Sequence, residues 1–161
     1  MNNVEINKSM RLSEHFSLGE VCKTSHKTAD GNIPSHVAIE NLKNICENWL
    51  EDLRYSNNVL YEEVGSDGAP IIITSGYRSP EVNKLAGGSS TSNHLTGCAV
   101  DIRCIGVEQA LRYANILLDI ADGTKRDFDE LFIERNKQGR YWIHFAVRPK
   151  DNRRKISILR G

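Results

Sequence analysis

Apolar positions recur at helical spacing from Val37 through Leu42, Ile45, Cys46, Trp49 and Leu50 to Leu53. That period predicts an amphipathic helix, with Pro34 or Ser35 as its start signal. Upstream, Leu12–Val21 reads as a short capped helix or turn, because Ser17 precedes Glu20 by the three residues of a capping box. Thr24–Ile33 is polar and predicts a loop, and Gly65–Pro70 a turn-rich break. The β-branched run Ile71-Ile72-Ile73-Thr74-Ser75 predicts a buried strand, and Ser79-Pro80-Glu81 starts a short helix reaching about Leu85. Gly87–Asn93 is small and polar, a loop whose backbone can approach a partner closely. Cys98–Arg103 predicts a strand, and Val107–Ile120 a helix carrying Ala110, Leu111, Ala114, Leu117 and Leu118. Phe128–Glu134 and Tyr141–Val147 predict two strands joined around Gly139. Early helices, a late crossover helix and a hairpin give an α+β fold, with a single antiparallel sheet packed against helices. Neither repeats nor a low-complexity linker divide residues 1–161, so the chain reads as one domain.

Composition narrows the classes. Hydrophobic residues make up 39% and charged residues 26% of the 161, ordinary for a globular chain that buries its own core. Lys plus Arg and Asp plus Glu are 21 each, so the net charge is zero and nucleic acid is not the expected partner. The basic run Arg148, Lys150, Arg153, Arg154, Lys155 reads as a solvated terminal strand. No apolar run reaches membrane-spanning length, and Met1–Met10 lacks the basic start and apolar stretch of a signal peptide. The expectation is a monomer without a membrane partner, cytoplasmic until released. Cys22, Cys46, Cys98 and Cys104 form no C-x-x-C pair and read as reduced, structural thiols.

Two stretches carry candidate chemistry. In Ser92–Asp101, His94 ends a Gly/Ser loop and Asp101 falls inside an apolar strand. Alternation puts Cys98, Val100 and Ile102 on the core face and Ala99, Asp101 and Arg103 on the other. A carboxylate there needs a partner, either a metal or a neighbouring cation such as Arg103. In the second stretch Tyr141, Ile143, Phe145 and Val147 face the core, while Trp142, His144 and Ala146 face away. By itself His144 reads as an exposed or hydrogen-bonded strand histidine rather than a ligand. His15, His26 and His36 fit no ligand pattern.

The string Ser92-x-His94-x-x-Gly97-x-Ala99-x-Asp101 resembles the signature of the zinc D-Ala-D-Ala carboxypeptidase family, which includes D,D-dipeptidases and phage L-alanyl-D-glutamate endopeptidases. Upstream Ser75-Gly76-Tyr77-Arg78-Ser79 and downstream Trp142-Ile143-His144 match in order, and the likeness spans about residues 12–148 in the manner of a compact bacterial and phage subgroup. The resemblance implies a hedgehog/DD-peptidase-like fold, one Zn²⁺ held by His94, Asp101 and His144, and hydrolysis of peptidoglycan peptides. Three protein ligands leave a fourth position for water, as in catalytic zinc sites. Zinc lowers the pKa of such a water to about 7.

One family position departs. Many members carry Glu three residues before the last His, where this chain has Tyr141, and a phenol with pKa near 10 is a poor base at neutral pH. Glu134 is the nearest substitute. A three-residue loop Lys137-Gln138-Gly139 pairs residues 136 and 140 and sets Glu134 opposite Trp142, on the His144 side; a four-residue loop turns Glu134 away. The resemblance further assigns Arg78 to substrate, its guanidinium fork suiting a terminal carboxylate. Ser92 either binds substrate or orients His94. Tyr141 keeps a second reading open, a catalytically inactive zinc-holding domain that binds cell wall or serves as a phage structural part. A third reading has the three residues only hydrogen-bonding, without metal.

Overall fold

The computed structural model describes residues 7–61 and 68–160. Residues 1–6 of the amino-terminal segment and 65–67 of the turn-rich break lie outside the described residues, while 68–70 carry no regular structure.

Helix α1 (Leu18–Val21) carries the full capping box: Ser17 accepts from the Glu20 N–H, and the Glu20 carboxylate accepts from the Ser17 N–H at 2.7 Å. The predicted long helix starts at Ser35, whose hydroxyl accepts from the Ala38 N–H, and it runs further than its apolar stripe suggests. It comprises α2 (His36–Ile45), a π-helical turn (Cys46–Leu50) and α3 (Glu51–Tyr61). Ala38, Leu42, Ile45, Cys46, Trp49, Leu50 and Leu53 are buried along it. Val37, expected on that stripe, is 66% exposed because it lies about 100° round the helix from Ala38.

Strand β1 (Ile73–Ser75), helix α4 (Pro80–Leu85, capped by Ser79), β2 (Ala99–Cys104), α5 (Gly106–Thr124), β3 (Glu130–Arg135), β4 (Tyr141–Ala146) and β5 (Lys155–Arg160) complete the order. The sheet runs β1-β2-β4-β3-β5. Its first four strands are antiparallel as expected, but β5 lies parallel to β3, so the single sheet is mixed. The cause is the connection after β4. Instead of turning back as a hairpin, it passes beyond β3 and feeds β5 in from the β3 start, with the Lys155 N–H on the Asp129 carbonyl.

Val100, Ile102, Leu131, Ile133, Ile143 and Phe145 turn one face of the sheet to the helices. Trp49 anchors this core, its ring edge-on to Phe145 at 5.1 Å and to Phe128 at 6.3 Å. Covering one face only leaves the other free to form a cleft. Among the described residues, no helix is long and apolar enough to cross a membrane. All four cysteines are free, and burial pushes the Cys22 and Cys104 thiols up to about 12, as expected of inert structural thiols.

Candidate metal centre

The uncovered face carries alternate residues of three strands: Asp101 from β2, His144 from β4, and Glu130, Phe132 and Glu134 from β3. They line a cavity of about 500 Å³ together with His94 and Arg78. Register fixes part of this, because Asp101 pairs directly with His144 and Phe132 pairs with His144 from the other side.

His94 reaches the cleft from a 3₁₀ turn (Asn93–Thr96). Ser92 caps it, with Oγ accepting the His94 N–H at 3.2 Å, so this serine orders the turn that carries His94. Gly97 closes the turn at φ 72°, and a Cβ there would collide with the Ala38 carbonyl oxygen. Gly76 is required for a similar reason, since a Cβ would strike the Val21 carbonyl oxygen. Its own carbonyl lies 2.6 Å from His94 Nδ1. A carbonyl only accepts, so Nδ1 donates to it and Nε2 is the nitrogen turned inward, 3.4 Å from Asp101 Oδ1.

Asp101 is buried. Its Oδ1 also lies 3.2 Å from His144 Nδ1, and its Oδ2 accepts from Arg78 Nη2 at 2.8 Å. Burial alone would raise its pKa, but the charges and hydrogen bonds of His94 and His144 prevail and hold it well below the usual carboxylate range. His144 Nε2 lies 2.7 Å from Glu130 Oε2. Burial would lower the His144 pKa, yet the carboxylates of Asp101 and Glu130 lift it to about 9. The His94, Asp101 and His144 ligand atoms all fall within 4.8 Å of one another, two nitrogens and one oxygen in a buried corner. That donor set suits a borderline cation such as zinc, and the cluster can hold a metal ion.

The other sequence-predicted residues also border the cleft. Glu134 sits opposite Trp142, as a three-residue loop requires: the Asn136 N–H meets the Arg140 carbonyl at 3.1 Å, and Gly139 adopts φ 79°. Burial and the nearby Asp101 charge raise its pKa. Arg78 is committed within the protein, through Nη2 to Asp101 and through Nε to Ser75 Oγ at 2.9 Å. Tyr141 packs against the core, so its position offers no base to the cleft.

Two carboxylates escaped the sequence reading. Glu130 faces the cleft, and the alternation that brings Glu134 there brings Glu130 as well. Asp129 is fully buried, and its carboxylate takes Arg153 through Nε and Nη2 at 2.9 and 2.7 Å, Asn93 Nδ2 at 2.8 Å and Arg148 Nε at 3.2 Å. Burial opposes ionisation there, but the Arg153 and Asn93 hydrogen bonds outweigh it and draw the pKa to about 2. The basic tail is therefore only partly a solvated strand, because Arg148 and Arg153 fold back onto an acid that spacing did not reveal.

A mixed-sheet α+β fold with a buried His-Asp-His corner at the head of an open cleft defines a candidate metallohydrolase. The peptidase M15 family model matches residues 14–125, and the chain belongs to that family. The matched segment includes His94 and Asp101 and ends before β3 and β4, so His144 joins them through the fold. No match was found among curated proteins.

Proposed function

We propose that this chain is a zinc metallopeptidase that hydrolyses amide bonds in peptidoglycan peptides, acting as a D,D-carboxypeptidase or an endopeptidase. The observation that carries the reading is the convergence of His94 Nε2, Asp101 Oδ1 and His144 Nδ1 within one buried corner. When bound there, zinc supplies Lewis acidity toward a carbonyl and a water acidified to about pKa 7. Glu134 is the general base. It borders the same cavity, and its raised pKa suits a group that must accept a proton near neutrality and pass it to a leaving amine. Arg78 orients Asp101 and offers its charge to a substrate carboxylate. Ser92 keeps the His94 turn in shape at the cleft wall. Peptidoglycan as the substrate class rests on family membership and on the signature run from Ser92 to Asp101.

The test is mass spectrometry of purified muropeptides after incubation with the zinc-loaded protein and with Glu134→Gln. Wild type should release a defined fragment that names the bond. Glu134→Gln should keep one zinc and lose turnover by about 100-fold or more. Full activity in Glu134→Gln would remove that residue from the base role, and metal uptake without cleavage by wild type would favour a binding domain.

A further inference from the structure

We infer that Glu130 is a positioning residue, holding His144 by Nε2–H so that Nδ1 is the nitrogen turned to the metal. The inference rests on the metallopeptidase reading and adds to it a second carboxylate on β3 with a different task from Glu134.

The geometry is specific on each side of the ring. At 2.7 Å from a carboxylate oxygen that can only accept, His144 Nε2 must carry a hydrogen. Nδ1 is the atom that points at Asp101 Oδ1, the oxygen that His94 Nε2 also approaches. One ring face stacks on Phe132 with centroids 5.4 Å apart and planes 20° apart. The ring is thus fixed in tilt by Phe132 and in rotation by its two carboxylate partners.

Glu130 is itself restrained, which a positioning role requires. Its Oε1 accepts from Arg153 Nη2 at 2.8 Å, and its Oε2 also accepts from Asn93 Nδ2 at 3.2 Å. Asn93 immediately precedes His94, so a single amide ties the carboxylate behind one histidine to the turn carrying the other. With both oxygens engaged, Glu130 is poorly suited to serve as a base. Glu134, two alternations along the same strand, is left for that work. A carboxylate behind a metal-bound imidazole fixes its tautomer and raises its basicity, and losing such a partner typically costs 10–100-fold in metal affinity.

The experiment compares the full chain with Glu130→Ala and Glu130→Gln. Zn²⁺ dissociation constants are measured by competition with a chromophoric chelator, and thermal unfolding of the metal-free proteins serves as a fold control. Arg153 keeps its bonds to Asp129 in both variants, which favours retention of the fold. Glu130→Ala should weaken zinc binding by roughly 10–100-fold. Glu130→Gln, whose amide oxygen can still accept from Nε2–H, should fall between Ala and wild type. Long-range ¹H–¹⁵N spectra of zinc-loaded wild type, which need no variant, should show His144 protonated at Nε2 and coordinating through Nδ1. The opposite tautomer, or a wild-type dissociation constant in folded Glu130→Ala, overturns this inference alone. Failure of wild type to take up zinc overturns the metallopeptidase reading and this inference together.

Discussion

Each of the three convergent ligand atoms is selected by what lies behind it. The Gly76 carbonyl commits His94 Nδ1, so Nε2 faces inward. Arg78 occupies Oδ2 of Asp101, so Oδ1 is the oxygen between the two imidazoles. Arg78 therefore acts on the metal side of the site as well as on any substrate. Both partners in that pair are largely buried, and removing a guanidinium from a buried carboxylate leaves charge without compensation. Arg78→Ala is expected to weaken zinc binding by about tenfold or more and to raise KM for substrates ending in a free carboxylate. Chelator competition and steady-state kinetics on the same preparation separate the two effects. A zinc dissociation constant equal to that of wild type would assign Arg78 to substrate alone.

The junction of β3, the β4–β5 connection and the His94 turn is held by one acid. Asp129 receives Asn93, Arg148 and Arg153, and its main chain bonds Ala146 on one side and Lys155 on the other. Its folded pKa near 2 lies below the unfolded value of about 3.9, so the stabilisation is complete above about pH 5 and is lost progressively as pH falls through the folded value. The gap corresponds to roughly 2–3 kcal/mol. Urea unfolding at several pH values should show Asp129→Asn destabilised by about 3 kcal/mol at pH 7, with a shallower loss than wild type between pH 4 and 2. Equal acid slopes would contradict this assignment. Asp129 also marks a limit of reading the sequence. The amphipathic helix, the Ser17–Glu20 box, the Ser79-capped α4 and the register that aims Glu134 at the cleft were all legible, because each is written in local spacing. What joins Arg153 to Asp129, or lays β5 parallel beside β3, is a long-range pairing with no local signature. Glu130 stands between these cases: strand alternation places it on the cleft face, but only the folded chain brings its carboxylate to His144 Nε2.

Helices pack on one face of the sheet and chemistry gathers on the other, so the core and the cleft share strands without sharing side chains. His94, Asp101 and His144 come from a turn and two neighbouring strands, and an ion between them would cross-link segments up to 50 positions apart in the sequence. The strands that carry two of these residues pair with each other and pack a hydrophobic core on the opposite face, so removing the ion should leave the chain folded rather than collapsed. Zinc binding to the folded state then adds stability by mass action, about 2.7 kcal/mol at a free concentration 100 times the dissociation constant. For a chain of this size each kcal/mol moves the melting temperature by about 2–4 °C, so saturating zinc should raise it by roughly 5–10 °C over protein in chelator. His144→Ala should remove that difference while still unfolding cooperatively, because the hydrophobic core lies on the opposite face. Differential scanning calorimetry with zinc and with chelator measures both. Identical melting of wild type under the two conditions would mean that the three side chains hold only one another, and the hydrolytic reading would lose its foundation.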